Sequence, residues 1–140
     1  MGIVMRSECP IAAALDLVGD RWTLVVLRDI LLSHRYGFSE IAADEGIATN
    51  ILMDRLERLV AAGILERHVD SADRRRRTYL PTERAIGLIP VLLDLVVWGN
   101  ANTAATGVAE VAEAVRIDRD AVVRDLESTV REKLTALSSR

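Results

Sequence analysis

Between Ser39 and Thr82 helical apolar spacing gives way to a run that reads as a strand, and a glycine marks each break. Ser39 is a candidate N-cap, and Ile41, Ala42 and Glu45 then fit a short helix that Gly46 stops. After a turn at Gly46-Ile47-Ala48, a second helix starts near Thr49. It places Ile51, Leu52, Leu56, Leu59 and Val60 on one face and stops at Gly63. Ile64 to Val69 then reads as a strand, with Thr78-Tyr79-Leu80 as its partner and a polar connection from Asp70 to Arg77. Short helix, turn, longer helix and hairpin together predict a winged helix-turn-helix.

The flanks read as helices. Cys9-Pro10 opens the first, Ala13, Ala14, Leu17 and Val18 form its apolar stripe, and Gly19 ends it. Asp20 caps a second helix, from about Arg21 to Leu32, that carries Trp22, Val25, Val26, Ile30 and Leu31. Beyond Pro81, Thr82 caps a helix running from Glu83 to Trp98, with a kink expected at Pro90. Its apolar positions exceed a single stripe, which points to a partner chain. Asn100 to Gly107 is expected to be a linker. Asp118 can cap a final helix through Ala121, Val122, Leu126, Val130, Leu134 and Leu137. The expected architecture is mainly α with a small β-hairpin wing. Residues 1–103 form the DNA-binding and dimerisation unit, and 104–140 a C-terminal helical extension.

Composition narrows the function classes. With 140 residues, 50% hydrophobic and only 4% aromatic, the chain suits one domain with a core of Leu, Ile, Val and Ala. Cys9 is the sole cysteine, so no intramolecular disulfide or cysteine zinc site is expected, and His34 and His68 lack metal spacing. No run of 18 apolar residues suggests a membrane span, and no basic-then-apolar leader is visible, so a cytoplasmic location is expected. No Gly-rich phosphate loop or Ser-His-Asp pattern occurs, and Asp44-Glu45 and Asp118-Asp120 read as helix-end charges. Neither an enzyme nor a cofactor is expected.

The helix from Thr49 leaves Thr49, Asn50, Met53, Asp54 and Arg58 outward, with Arg55 at the border. A recognition helix presents its N-terminal residues to base edges. Asn50 suits adenine, Thr49 a phosphate or a thymine methyl, and Arg55 and Arg58 phosphates. Asp54 either accepts from cytosine or pairs an arginine. Residues 55–84 hold eight arginines against five acids inside a chain of net charge −3. Arg74, Arg75, Arg76 and Arg77 at the hairpin suit phosphates or the minor groove. The plainer readings are a solvated helix face and a hairpin whose arginines pair with Asp70 and Asp73.

These residues resemble the HxlR-type winged-helix transcriptional regulators, a bacterial group related to the MarR regulators. The resemblance runs through Cys9-Pro10, Leu17, Gly19, Trp22-Thr23, Phe38, Glu40-Ile41, Gly46-Ile47, Arg55-Leu56, Gly63-Ile64-Leu65, Tyr79, Thr82, Pro90 and Trp98-Gly99. Gly37, Pro81, Ala85 and the four wing arginines depart from the family pattern, and the tail beyond Thr103 exceeds its common length. The resemblance implies a redox-sensing role for Cys9. A thiol at a helix N-terminus is favoured as thiolate, with Arg6 helping and Glu8 opposing, and the alternative is a small buried hydrophobe packing the dimer interface. The combined expectation is a homodimer on double-stranded DNA, joined through Pro10, Leu92, Leu95 and Trp98. It represses at a palindromic operator and is switched by a small-molecule effector or by Cys9 oxidation. The competing class is a winged-helix protein–protein scaffold.

Overall fold

The computed structural model describes residues 7–140; Arg6 lies outside them. Helix α1 spans Pro10–Val18 and α2 spans Thr23–Leu31. Pro10 sits in the first turn of α1, where a missing N–H costs nothing. Helix α2 begins two residues later than expected, after a turn at Arg21-Trp22 that Asp20 secures: its carboxylate accepts from the Trp22 N–H at 3.1 Å and the Thr23 N–H at 3.3 Å, and from the Thr23 hydroxyl. Helix α2 is the hub of the fold. Val26, Leu27, Ile30 and Leu31 are fully buried, and the helix touches the wing and the helices on either side of it.

The segment after α2 departs from the expected short helix. Residues 38–42 are turns, followed by a single 3-10 turn over Ala43–Glu45. Two left-handed residues, Ala42 (φ 56°) and Gly46 (φ 66°), bracket that turn and prevent an α-helix from propagating. A buried carboxylate stabilises the bend. Asp29, 2% exposed, accepts from the Ala42 N–H at 2.6 Å and from Arg28 at 2.9 and 2.8 Å. Helix α3 then spans Thr49–Ala61 and buries Leu52, Leu56 and Leu59. Gly63, at φ 72°, ends that run as the sequence indicates.

The wing consists of β1, Leu65–Val69, and β2, Arg77–Pro81, paired antiparallel with Leu65 opposite Pro81 and Val69 opposite Arg77. A third piece, not foreseen, lies along the free edge of β2. The Tyr79 N–H donates to the Tyr36 carbonyl at 2.8 Å, and the Phe38 N–H to the Arg77 carbonyl at 3.2 Å. This edge anchors the wing to the chain entering the helix-turn-helix, and Tyr79 packs fully buried beneath it.

Beyond the wing, the expected single kinked helix is two helices. Helix α4 spans Glu83–Ile86 and α5 spans Ile89–Asn102, with Pro90 in the first turn of α5. The missing proline N–H is harmless there, so the chain breaks before Pro90 rather than kinking at it. Helix α5 also takes in Asn100–Asn102, which the sequence suggested as linker. The stretch Glu83–Asn102 reaches a mean hydropathy of 1.5, but it supplies Ala85, Ile86, Ile89, Leu92 and Leu93 to the core. Helix α6, Ala109–Ser138, bends at Asp118, whose φ of −153° and ψ of 86° are non-helical. Asp118 accepts from the Ala121 N–H at 3.1 Å, so it caps the second half as expected. The helix packs back on α5 of its own chain. Arg119 holds Asp94 through two hydrogen bonds of 2.8 and 2.9 Å. Arg131 holds Glu83 in the same way at 3.0 and 2.9 Å.

Asp29→Ala is expected to lower unfolding stability by about 2–3 kcal/mol, because a buried N–H loses its acceptor and Arg28 its main partner. Urea denaturation of the variant checks this, and Asp29→Asn recovers part of the loss.

Candidate nucleic-acid interface

The outward face of α3 begins with Thr49 and Asn50, both exposed at the N-terminal end of the helix. The core stripe of Leu52, Leu56 and Leu59 turns this end away from the protein. Met53 is half-buried one turn further on. The Arg77 guanidinium lies 3.9 Å from its sulfur, so the base of the wing meets α3 here. The structure thus brings Thr49, Asn50, Met53 and Arg77 into one region.

The other candidates on α3 are committed to internal pairs. Arg55 donates to Asp20 at 2.7 Å and to Asp54. Arg58 reaches Asp54 at 3.0 Å. Asp54 therefore pairs arginines, one of the two roles foreseen for it. The Arg55–Asp20 bond ties the start of α2 to α3 across 35 residues of sequence. Burial pushes the Asp20 carboxyl up, but hydrogen bonds from Thr23, Arg55 and Trp22 outweigh it and bring the pKa down to about 2.

The wing tip is different. Asp70 and Asp73 spend their carboxylates on the hairpin backbone. Asp70 accepts from the Ala72 N–H at 2.8 Å, and Asp73 from the Arg75 N–H at 3.0 Å. Arg74, Arg75 and Arg76 are exposed, and among the described residues none has an ion-pair partner. The alternative in which Asp70 and Asp73 neutralise them does not hold. Arg75, Arg76 and Arg77 line a groove of about 580 Å³ together with His34 and His68. His34 is left-handed at φ 54°, and burial, with a smaller contribution from Lys133 of α6, holds its pKa below the usual histidine value.

The remaining candidates lie away from this face. Cys9 is exposed at the start of α1, and its own N–H donates to the Ser7 hydroxyl at 3.1 Å. Within the chain itself the thiol is thus accessible. Pro10 and Leu95 are exposed, and Trp98 is 63% exposed. Leu92 is corrected: at 5% exposure it points into the chain's own core, because α5 turns that face toward α2. Sequence reasoning missed Asp29 and the Tyr36–Phe38 edge. A lone acid among Val25, Val26, Ile30 and Leu31 was the available signal for the first.

A family model described as HxlR-like helix-turn-helix matches residues 17–106. The chain belongs to the HxlR-like helix-turn-helix family. An uncharacterized HTH-type transcriptional regulator of Mycobacterium tuberculosis is 37% identical over 90 residues, 64% of this chain and 56% of that relative. The chain thus matches only about half the length of that relative. Among solved structures, PA1607, described as a candidate transcription factor, superposes with a TM-score of 0.65 at 29% identity. The superposition covers 73% of this chain and 70% of PA1607. The reduced transcriptional regulator YodB of B. subtilis gives a TM-score of 0.54 at 25% identity, over 70% of this chain and 97% of YodB. Family and fold thus agree on a winged helix-turn-helix.

The depressed Asp20 carboxyl carries a pH signature. Because its pKa falls from an ordinary 3.8 to about 2 on folding, its stabilisation is complete above pH 4 and is lost as pH falls through 2. Asp20→Ala is expected to cost about 1 kcal/mol at neutral pH, the usual cost of a lost N-cap. That deficit should vanish near pH 2. Urea titrations of both proteins at pH 7 and pH 2 check it.

Proposed function

We propose that this HxlR-like chain is a cytoplasmic, non-enzymatic repressor that binds a palindromic operator as a homodimer. Residues 1–103 carry DNA binding and dimerisation, and 104–140 form an extension. The observation that carries this reading is the uncompensated wing charge. Arg74, Arg75 and Arg76 have no ion-pair partner among the described residues, while Arg77 places the same hairpin beside Met53 on α3. Cations left free at a hairpin tip suit phosphates, and the adjoining Thr49 and Asn50 suit base edges. Asp54, Arg55 and Arg58 act mainly as a scaffold that orients the helix.

Two further features support the dimer. Helix α1 buries only Val18 within the chain, leaving Ile11 and Leu15 exposed. Helix α5 leaves Val91, Leu95 and Trp98 exposed on the side away from the core. A two-fold interface through Pro10, Leu95 and Trp98 covers both rows and sets the separation of the two α3 helices. A small effector or oxidation of exposed Cys9 then changes that separation. YodB, the B. subtilis regulator, has been crystallised both reduced and after diamide treatment, a comparison that favours the thiol route.

Selection of binding sites from a randomised duplex pool tests the central reading. A palindrome is expected, with half-sites one helical turn apart or a multiple of that. Failure to enrich any sequence would shift the protein to the scaffold class. On the selected site, Arg75→Ala with Arg76→Ala is expected to weaken all sequences alike. It should also reduce the slope of log K against log salt by about 2. Cys9→Ser is expected to retain DNA binding but lose release by diamide. Release that persists in that variant assigns the switch elsewhere.

A further inference from the structure

A cleft of about 610 Å³ lies beside the end of α2, between the Ala43–Glu45 turn, the loop after α5 and helix α6. Leu32, Val96, Val111 and Leu126 supply its apolar walls. Its volume is that of a site for a drug-sized molecule. The loop and α6 belong to the tail that the family match, ending at residue 106, leaves almost entirely uncovered.

The rim carries charge. Arg28 and Arg35 face Asp29, Asp44 and Glu45. Arg28 bonds Asp29 and also Glu45, at 2.9 Å, while Arg35 bonds Asp44 at 2.9 Å. Three carboxylates thus share two guanidiniums, and the lining is one positive charge short of neutrality. Asp44, 73% exposed, has most of its surface toward solvent. A molecule that fills the cleft removes water from this rim. An anion would add a fourth negative charge to a drying site, whereas a cation completes the pairing. On the lip, Val108 holds φ 53° and ψ 31°, a strained conformation for a β-branched residue, so this lip can relax on binding.

We propose that the cleft binds a hydrophobic organic cation, with its apolar body against Leu32, Val96, Val111 and Leu126 and its charge between Asp44 and Glu45. The consequence for DNA rests on the regulator reading above. Asp44 and Glu45 sit on the turn that leads into α3; Glu45 bonds Arg28 on α2 and Asp44 bonds Arg35 in the loop after it, and together they hold that turn in place. A competing cation at these carboxylates loosens both links and frees α3 to shift.

The probe is a pair of ions of equal shape and opposite charge, tetraphenylphosphonium and tetraphenylborate, titrated calorimetrically into the full chain without DNA. The phosphonium is expected to bind one per chain, at least tenfold tighter than the borate. Asp44→Asn, a same-size change at an exposed position, is expected to reduce that preference severalfold. Val111→Trp, verified as folded by circular dichroism, is expected to abolish binding by filling the cleft. Equal or tighter borate binding, no phosphonium binding, or phosphonium binding unchanged in both variants overturns the proposal. Because no DNA enters the measurement, its failure leaves the operator reading standing. An empty site selection likewise leaves this binding result standing.

Discussion

The Asp29 carboxylate holds the two halves of the helix-turn-helix in register. It sits near the end of α2, in a helix whose other inward residues beyond Thr23 are aliphatic. A charge in such surroundings is tolerated only when paired and hydrogen-bonded, and Asp29 is both. Arg28 neutralises it from the same helix, and the Ala42 N–H fills a remaining lone pair. That second bond reaches across 13 residues and secures a left-handed alanine that would otherwise be unfavourable. The turn it stabilises determines where α3 begins, and hence which residues of α3 face outward. Arg28–Glu45 and Arg35–Asp44 add exposed links around the same turn. Such links contribute little stability individually and respond to ligands or salt.

Positive charge follows a similar division of labour. Arg55 is half-hidden and bonded to Asp20, so it joins α3 to the start of α2. The wing-tip arginines remain free because the nearby acids cap backbone N–H groups of the hairpin turn. In a chain of net charge −3, one electropositive edge persists because its local counter-charges are spent on the hairpin's own shape. Its position beside Met53 follows from β2 being fastened on both edges, to β1 and to the Tyr36–Phe38 segment.

The tail converts a common scaffold into an individual one. Its two halves, divided at Asp118, fold over α5 and α4 of the same chain, with Val115 and Val130 buried and Arg119 and Arg131 clamping Asp94 and Glu83. It covers one side of α5 and leaves Leu95 and Trp98 open on another. It also walls the cleft beside the Asp29 turn, so any molecule seated there touches both the tail and the element that aims α3.

Much of this was legible in the residues alone, since the signals were local. Pro10, Gly19, Asp20, Gly63 and Asp118 mark helix ends through backbone geometry and hydrogen bonds within a few positions. The strand-like run after Gly63, with Thr78-Tyr79-Leu80 as its partner, marks the wing. What sequence could not supply depended on distant partners. The expected helix after Ser39 is a set of turns because Asp29 holds Ala42 left-handed. The expected kink at Pro90 is a break because α4 and α5 pack separately on α2. Arg55 is a strut because Asp20 lies beside it only after folding. Leu92 faces inward because α5 is rotated by its contact with α2, although its spacing allowed either direction. The sequence by itself determined the winged helix-turn-helix, its order of elements and its basic hairpin, through periodicity and capping. Tertiary structure alone decided which charges are spent internally and which stay free, because that depends on pairings between residues far apart along the chain.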